Sequence, residues 1–363
     1  MSNIINITIR ESDMVSIYSE ISSIIDNMLN KAFLFNTAAY YAYNYISNAK
    51  YDNISKYEYN NCIERWILSV MNSTVSHNPL DLFIENDDLF DINQAYNQKL
   101  IDEIIEKTKS SSNVQNFVQN MLLGLKTLIE NCKPPHVYLS KSEINKLIKS
   151  NNSDRLMQLD SSKSILDKQK HISILKLIYN GIAQNQSQQW SAPLKLYQHL
   201  YDTYNLRYEG FASPFNSKLL KIGLDAKYCS LFYEPIDKYY NSIGTFFNTE
   251  FPPDSTWYIN PPFIVSIFEK VWEKIQNELK KSKNHLIFLN LPAWDDLSII
   301  PEMNNSPWLI SKIELRKNTY YYEDPMGKHI TARFNSYVFI FSSNPIWTSN
   351  SINKKEIVKS FSF

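Results

Sequence analysis

The chain is 363 residues long, beyond the usual size of one domain, so two domains, or a catalytic domain with a large helical extension, are expected. Its 37 basic and 37 acidic residues cancel, which argues against a non-specific polyelectrolyte binder and confines any nucleic-acid contact to a local basic patch. Three distant cysteines, Cys62, Cys132 and Cys229, offer neither a disulfide framework nor a zinc spacing, and six solitary glycines supply no dinucleotide fingerprint or P-loop, so metal, NAD and nucleoside-triphosphate chemistry are not expected.

The opening residues lack a basic region and a long apolar core, and no run reaches the roughly 18 apolar residues of a membrane span. A soluble intracellular chain, in cytoplasm or nucleus, is the expectation, with no membrane partner. Heavy use of Asn, Ile, Lys and Tyr fits an AT-rich genome, such as that of a large DNA virus or a protist; a viral protein would work in the viral factory.

From residue 12 to about 48 apolar residues recur at helical spacing, as one long helix or two, and a further helix is expected over 61–73. His77, Asn78 and Pro79 break the pattern, and Glu85, Asp87, Asp88 and Asp91 make an acidic loop without the register of a calcium site, which reads as a solvated face. Helices follow over 93–107 and 114–130, stopped by Pro134 and Pro135. Ser140 with Glu143 forms a capping box, and 150–154 reads as a surface loop. The next helix, 165–182, carries Lys168, Lys170 and Lys176, with Lys163 just before it; these suit phosphate, and a solvated face explains them as well. The polar stretch 183–189 marks a boundary, giving a helical domain at 1–187, a sheet domain at 188–348 and a tail at 349–363, the tail mobile or packing late.

Residues 194–204 read as a helix, and 206–211 alternate like a strand that runs into Ala212, Ser213, Pro214, Phe215 and Asn216 before a helical stretch at 217–222. This is the first strand–turn–helix of a sheet. A glycine-rich turn commonly stands at such a point so that backbone can approach a cofactor; small residues and a proline do the same spatial job here, and Asn216 offers an amide.

A second such unit follows. Trp257, Tyr258 and Ile259 form an aromatic run of strand type, ended at Asn260 by Pro261 and Pro262, which forbid further ladder pairing. Beyond Phe263 the period changes: Ile264, Ile267, Phe268, Val271, Trp272, Ile275 and Leu279 share one helical face, and Glu269, Lys270, Glu273, Lys274, Asn277, Glu278 and Lys280 the other. The near-continuous apolar run 286–291 is that of a parallel strand buried on both faces. Asn290 to Trp294 closes that strand, and Trp294 is either a wall of a base pocket or a core aromatic. The last two strands are expected over 312–317 and 330–342. Between them Tyr320, Tyr321 and Tyr322 lead a loop bounded by Arg316, Lys317, Lys328 and Arg333, an arrangement that suits an exposed nucleotide or a tyrosine-rich edge strand.

The corner Asn260-Pro261-Pro262-Phe263 has the chemistry for one reaction. An exocyclic amine on adenine or cytosine is a poor nucleophile, and an enzyme that methylates it must hold the amine as it moves toward tetrahedral. An Asn oxygen and the carbonyl of the next residue can each accept one amine hydrogen, and an aromatic ring two positions on can stack on the base. A bare Asn-Pro-Pro also serves as a turn; its place between strand and helix favours the base-amine reading.

The quartet resembles the Asp/Asn-Pro-Pro-aromatic motif of amino-methyltransferases that use S-adenosylmethionine. Taken with Phe211 to Asn216, Tyr228 to Phe232 and Asp237 to Gly244, it resembles the catalytic domain of the phosphorylated CTD-interacting factor 1 family over roughly residues 188–345. That resemblance implies an α/β, class I (Rossmann-like) methyltransferase fold behind an α-helical domain, and transfer of methyl to N6 of the 2′-O-methyladenosine beside the mRNA cap. It implies S-adenosylmethionine held by Phe211, Ala212, Ser213, Pro214 and Asn216, with Asp237 at the ribose or in a turn, and adenine held by Asn260, Pro261, Pro262 and Phe263. One of Phe211 and Phe215 is expected in the core. Trp294, Arg316, Lys317, Lys328 and Arg333 are the candidate RNA contacts. No WW module precedes the helical region, so tethering to the polymerase tail is not implied. The partner expected is RNA, capped mRNA in particular, with a protein partner or homo-oligomer left open. A DNA or internal-RNA adenine methyltransferase, or a catalytically silent RNA-binding scaffold, are the alternatives.

Overall fold

The structure, a computed structural model, describes residues 11–48, 56–73, 79–84, 86–109, 113–132, 156, 159, 165–182, 189–223, 225–234, 236–281, 283–325 and 327–363. The expected capping box of Ser140 and Glu143, the 150–154 loop, Pro134, Pro135, Glu85 and Lys163 lie outside these residues. No helix among the described residues is long and apolar enough to cross a membrane.

The first helix, α1 (Glu11–Ser47), runs unbroken, and it buries Leu29, Ala32, Phe35, Ala38, Ala39, Ala42, Tyr43 and Ile46 along one stripe. Small residues in that stripe bring other backbones close. Helices α2 (Lys56–Ser73), α3 (Ala95–Thr108), α4 (Val114–Asn131) and α5 (Ile165–Ile182) gather around it. At the α1–α5 crossing a Cβ on Gly181 would lie 2.8 Å from the Phe35 ring, and Asn36 donates to the Leu177 carbonyl at 2.8 Å. The acidic stretch folds as a short 3-10 turn, Asp87–Phe90, with Asp87 and Asp88 exposed. Asn97 ties it down by donating to the carbonyls of Leu89 and Asp91 while accepting from the Trp66 indole at 2.8 Å.

Helix α6 (Leu194–Tyr204) leads into β1 (Leu206–Ala212), the one-turn α7 (Leu219–Ile222) and β2 (Lys227–Ser230). Then come β3 (Thr256–Ile259), α8 (Val265–Lys280), β4 (Leu286–Pro292), α9 (Ile299–Asn304) and β5 (Leu309–Leu315). The chain ends with β6 (Tyr321–Glu323), β7 (His329–Thr331), β8 (Ser336–Ser342) and α10 (Lys354–Phe361). The central sheet has the order β2-β1-β3-β4-β8-β5. Its first four strands are parallel, and β8 and β5 add an antiparallel edge. The fold is mixed α/β with a mostly parallel sheet.

Strand residues alternate between two buried faces, as a sheet covered on both sides requires. Trp257, Ile259, Ile287, Leu289, Phe339 and Phe341 pack beneath α8. Tyr258, Leu286, Phe288, Val338 and Ile340 pack with α6 and α10. The helices α1 to α5 share a third cluster with Leu220, Tyr228, Phe232, Ile236 and Tyr240 at the β2 edge.

Three expectations change. The run 330–342 is two strands, because Arg333 to Asn335 turn the chain out of the small β6–β7 hairpin before β8 joins the main sheet. The tail is packed: Ile357 and Phe361 of α10 are fully buried in the cluster with α6. Glu278, placed on the polar face of α8, is buried, with Lys274 at 3.1 Å and Lys281 at 3.0 Å compensating its charge.

Candidate functional site at the carboxyl rim of the sheet

Strand order locates the crevice. Because β1 lies between β2 and β3, the chain leaves β1 toward one edge and leaves β3 toward the other, and the gap opens beyond the carboxyl ends of these two strands. Both corners singled out in the sequence lie there: residues 211–216 follow β1 and residues 260–263 follow β3. They flank a cavity of about 1190 Å³ whose walls include Phe211, Ala212, Asn216, Ser230, Glu234, Phe246, Phe247, Asn260 and Pro262.

The first corner is held by its own side chains. Asn216 Oδ1 accepts from the Ser213 backbone N–H at 2.6 Å and from its hydroxyl at 3.0 Å, while Asn216 Nδ2 donates to the Gln189 carbonyl at 3.1 Å. The Asn216 amide thus braces the turn and its link to Gln189, while Asn216 itself stands on the cavity wall. Ser213 is fully buried and also donates to Gln189 Oε1 at 2.7 Å. Phe211 lines the cavity and packs on Phe246 at 4.7 Å. Phe215 instead meets Tyr179 edge-on at 6.0 Å, packed half-buried against the helical cluster and off the cavity wall. Ser213 and Pro214 lie behind the cavity wall. Gly244, also on the wall, has φ +136, and a Cβ there would lie 2.7 Å from Thr249 Oγ1; both facts require glycine.

At the second corner Asn260 is half-buried. Its Nδ2 donates to the Trp190 carbonyl at 3.3 Å, and its Oδ1 accepts from Asn290 Nδ2 at 3.2 Å, leaving one lone pair of that oxygen. The Pro262 carbonyl closes a tight turn by accepting from Ile264 N–H at 2.8 Å. Among the described residues nothing donates to the Pro261 carbonyl. Phe263 faces away from the main cavity, into a second hollow of about 360 Å³ shared with Trp294, Trp66, Tyr96, Arg65 and Lys99. Trp294 is 36% exposed and meets Phe263 edge-on at 6.2 Å, so it is a wall residue rather than a core aromatic.

Gln189, Trp190 and Ser191 link the corners. Gln189 holds Ser213 and Asn216, Trp190 holds Asn260, and Ser191 exchanges two backbone hydrogen bonds of 2.9 and 2.8 Å with Glu323. Glu323 Oε2 in turn pairs at 2.7 Å with the buried Lys218.

Asp237 does not reach the cavity. It is fully buried and accepts from the Tyr179 hydroxyl at 2.5 Å; burial pushes its carboxyl up to about 7 against the opposing effect of that hydrogen bond. Glu209, inside β1, is likewise pushed up to about 7 by burial, although Tyr197 and Ser217 donate to it at 2.6 and 2.8 Å. The acid that does stand on the wall after β2 is Glu234, paired with Lys238 at 2.6 Å.

The four basic candidates are exposed and outside the cavity. Register sets Leu315 and Pro292 both opposite Ser336, so Arg316 and Lys317 follow a strand end on the same rim as Asn260. Lys328 and Arg333 flank the β7 strand of the hairpin.

Sequence reasoning missed Gln189, which it assigned to a linker, and the partnership of Trp190, Asn290 and Tyr322 with Asn260. One signal existed for Asn290: it is the only polar residue in the run 286–291, and a buried polar side chain needs partners.

No curated protein matches the chain. Residues 155–325 match the model of the family described as phosphorylated CTD interacting factor 1 WW domain. That span holds β1 to β6, both corners and the Gln189–Ser191 link, and the match supports a phosphorylated CTD-interacting factor 1-like assignment over it.

Proposed function

We propose that this protein is a class I, Rossmann-like methyltransferase that transfers a methyl group from S-adenosylmethionine to adenine N6, with the 2′-O-methyladenosine beside an mRNA cap as its substrate. The observation that carries the reading is the pair of acceptors at the second corner: an Asn260 oxygen with a lone pair to spare, next to a Pro261 carbonyl that no described residue uses. Two acceptors side by side match the two hydrogens of one amine.

The cavity suits the cofactor and leaves room beside it. Ligand pockets commonly span about 300–1,000 Å³, and this one is about 1190 Å³. Phe211, Phe246 and Phe247 give an aromatic wall for a purine, the backbone of 211–212 approaches from the turn, and Glu234 supplies a carboxylate for hydroxyl or ammonium groups. When bound, S-adenosylmethionine supplies an electrophilic methyl group. Asn260 and Pro261 hold the amine so that its lone pair points across the rim, and their hydrogen bonds strengthen as the nitrogen gains positive charge. Phe263 and Trp294 line the separate second hollow, so stacking on the base would need the Phe263 ring to turn toward the cavity, and Arg316, Lys317, Lys328 and Arg333 would carry the phosphates. The amine becomes acidic only as the new bond forms, so water can take its proton and no general base is needed.

The test is nucleoside mass spectrometry after incubation with labelled cofactor. Capped RNA beginning with 2′-O-methyladenosine should yield N6,2′-O-dimethyladenosine, and uncapped RNA and single-stranded DNA should yield far less. Equal labelling of uncapped RNA or DNA would overturn the substrate, and absence of labelling on every polymer, with RNA still bound, would overturn the enzyme in favour of a binding subunit.

A further inference from the structure

Asn260 is the end of a chain of hydrogen bonds that crosses the sheet face. Asn290 Nδ2 donates to Asn260 Oδ1 at 3.2 Å and to the Tyr322 hydroxyl at 3.0 Å. Tyr322 Oη lies 3.3 Å from Ser336 Oγ, and Ser336 Oγ lies 2.7 Å from Tyr320 Oη. Tyr320 finally donates to the Phe334 carbonyl at 3.0 Å. Asn290 and Ser336 are fully buried, and Tyr320 and Tyr322 are each about 1% exposed, so water does not compete for these groups.

The direction of every proton is forced. A carbonyl only accepts, so Tyr320 spends its one hydrogen on Phe334 and must accept from Ser336. Ser336 has then spent its hydrogen and must accept from Tyr322. Tyr322, its own hydrogen used, must accept from Asn290, which fixes the nitrogen of that amide toward Tyr322. From the opposite end the Trp190 carbonyl fixes the nitrogen of the Asn260 amide toward itself, and therefore its oxygen toward Asn290. The two terminal carbonyls give the same answer. Turning the Asn260 amide over would set oxygen against the Trp190 carbonyl and nitrogen against nitrogen at Asn290, and turning Asn290 over would set oxygen against oxygen at Asn260, although Asn290 Oδ1 is buried without a partner as the amide stands.

We propose that Asn290, Tyr322, Ser336 and Tyr320 are positioning residues that lock Asn260 with its oxygen, and never its nitrogen, toward the base. The inference rests on the base-amine reading above and adds a specificity to it. A locked acceptor beside the Pro261 carbonyl takes a base edge that donates hydrogens and rejects one that presents a carbonyl oxygen, so adenine is admitted and hypoxanthine excluded. Rejection arises because two oxygens would face a third with no hydrogen between them.

Competition binding without cofactor tests this on the full-length chain. The probes are capped RNA starting with 2′-O-methyladenosine and the same RNA starting with 2′-O-methylinosine. The wild type should prefer adenosine by about tenfold or more, the range of 1–3 kcal/mol for one polar mismatch. In Asn290→Leu the Asn260 amide is held only by the Trp190 carbonyl at 3.3 Å, and there and in the gentler Tyr322→Phe it turns more readily, so the preference should shrink, to below about threefold in Asn290→Leu, as inosine binding improves. The double variant should be no worse than Asn290→Leu, because Tyr322 acts only through Asn290. A merely structural role would weaken both RNAs equally and leave their ratio unchanged; that result in Tyr322→Phe, in a sample whose thermal melt shows it folded, overturns the proposal. If the wild type itself shows no preference, the base-amine reading has failed instead.

Discussion

The two corners at the rim look alike in the sequence, each a strand followed by a proline-bearing polar turn, yet they use their asparagines in opposite ways. Asn216 turns inward: its oxygen accepts from Ser213 and one hydrogen of its nitrogen goes to Gln189, so it acts as a brace that shapes the backbone. Asn260 is braced by others, through Trp190 and Asn290, and one lone pair of its oxygen has no partner among the described residues. On the proposed reading the same side chain is scaffold at one strand end and instrument at its neighbour. What separates them is whether a partner lies within the local turn: Ser213 is three residues from Asn216, whereas the partners of Asn260 are 70 and 30 residues away.

The sharpest way to break this comparison is to remove each asparagine. Asn260→Ala should lower kcat on the order of 10²-fold or more while cofactor affinity, read by calorimetry, stays close to wild type, by analogy with the loss of one preorganised hydrogen bond at a reacting centre. Asn216→Ala should do the reverse. It orphans a buried Ser213 N–H and the Gln189 carbonyl, so stability should fall by about 1–3 kcal/mol in urea titration and cofactor binding should weaken, with the chemical step changed little once cofactor saturates. Equal kcat losses in the two variants would erase the distinction.

A smaller effect should come from the charges along the rim. Arg316→Ala and Lys317→Ala should each weaken RNA binding several-fold at low salt and lower the slope of log K against log salt by about one unit, as loss of one phosphate contact does. Asn260→Ala should leave that slope alone.

The smallest effect concerns the wall behind the first corner. A carboxyl with its folded value raised to about 7 holds its proton in the folded state after the unfolded chain has released it, so stability is full below the ordinary carboxylate range and falls as pH rises from about 4 to about 7. Asp237 and Glu209 both act in this sense. Asp237→Asn should flatten the decline of Tm across that window, leaving the part due to Glu209; an unchanged pH profile would show that the carboxyl is ionised in place.

Much of this was legible beforehand because it is local. The strand-to-helix change of period at Ile259 to Val265, the proline stop between them and the apolar run of β4 are each properties of a dozen neighbouring residues, and the structure reproduces them within a residue or two. Pairing across distance was not legible. Nothing near Asp237 tells that Tyr179, 58 residues earlier, takes its carboxylate out of reach, so Asp237 read equally as a ribose ligand or a turn residue; it opens a 3-10 turn, and Glu234 is the acid on the wall. Glu278 misled in the same way: its place in the polar face of α8 is regular, and only the fold shows the two lysines that let it be buried. The tail, left open between mobile and late-packing, is packed, and its uncertainty had a different cause. Its Ile357 and Phe361 are four residues apart and make a helical stripe, but its end position and charges weighed more than two apolar residues.

The link at Gln189 to Ser191 acts on Asn260 and on the β6 edge through peptide groups, by the Trp190 carbonyl and both main-chain groups of Ser191. Contacts of that kind leave no signature in which amino acids occupy the positions, so substitution at 190 and 191, unlike at Gln189 with its side-chain bond to Ser213, should be tolerated more readily than its importance would suggest. What the segment cannot absorb is a change in count: one residue added or lost between 189 and 191 would throw both corners out of alignment together.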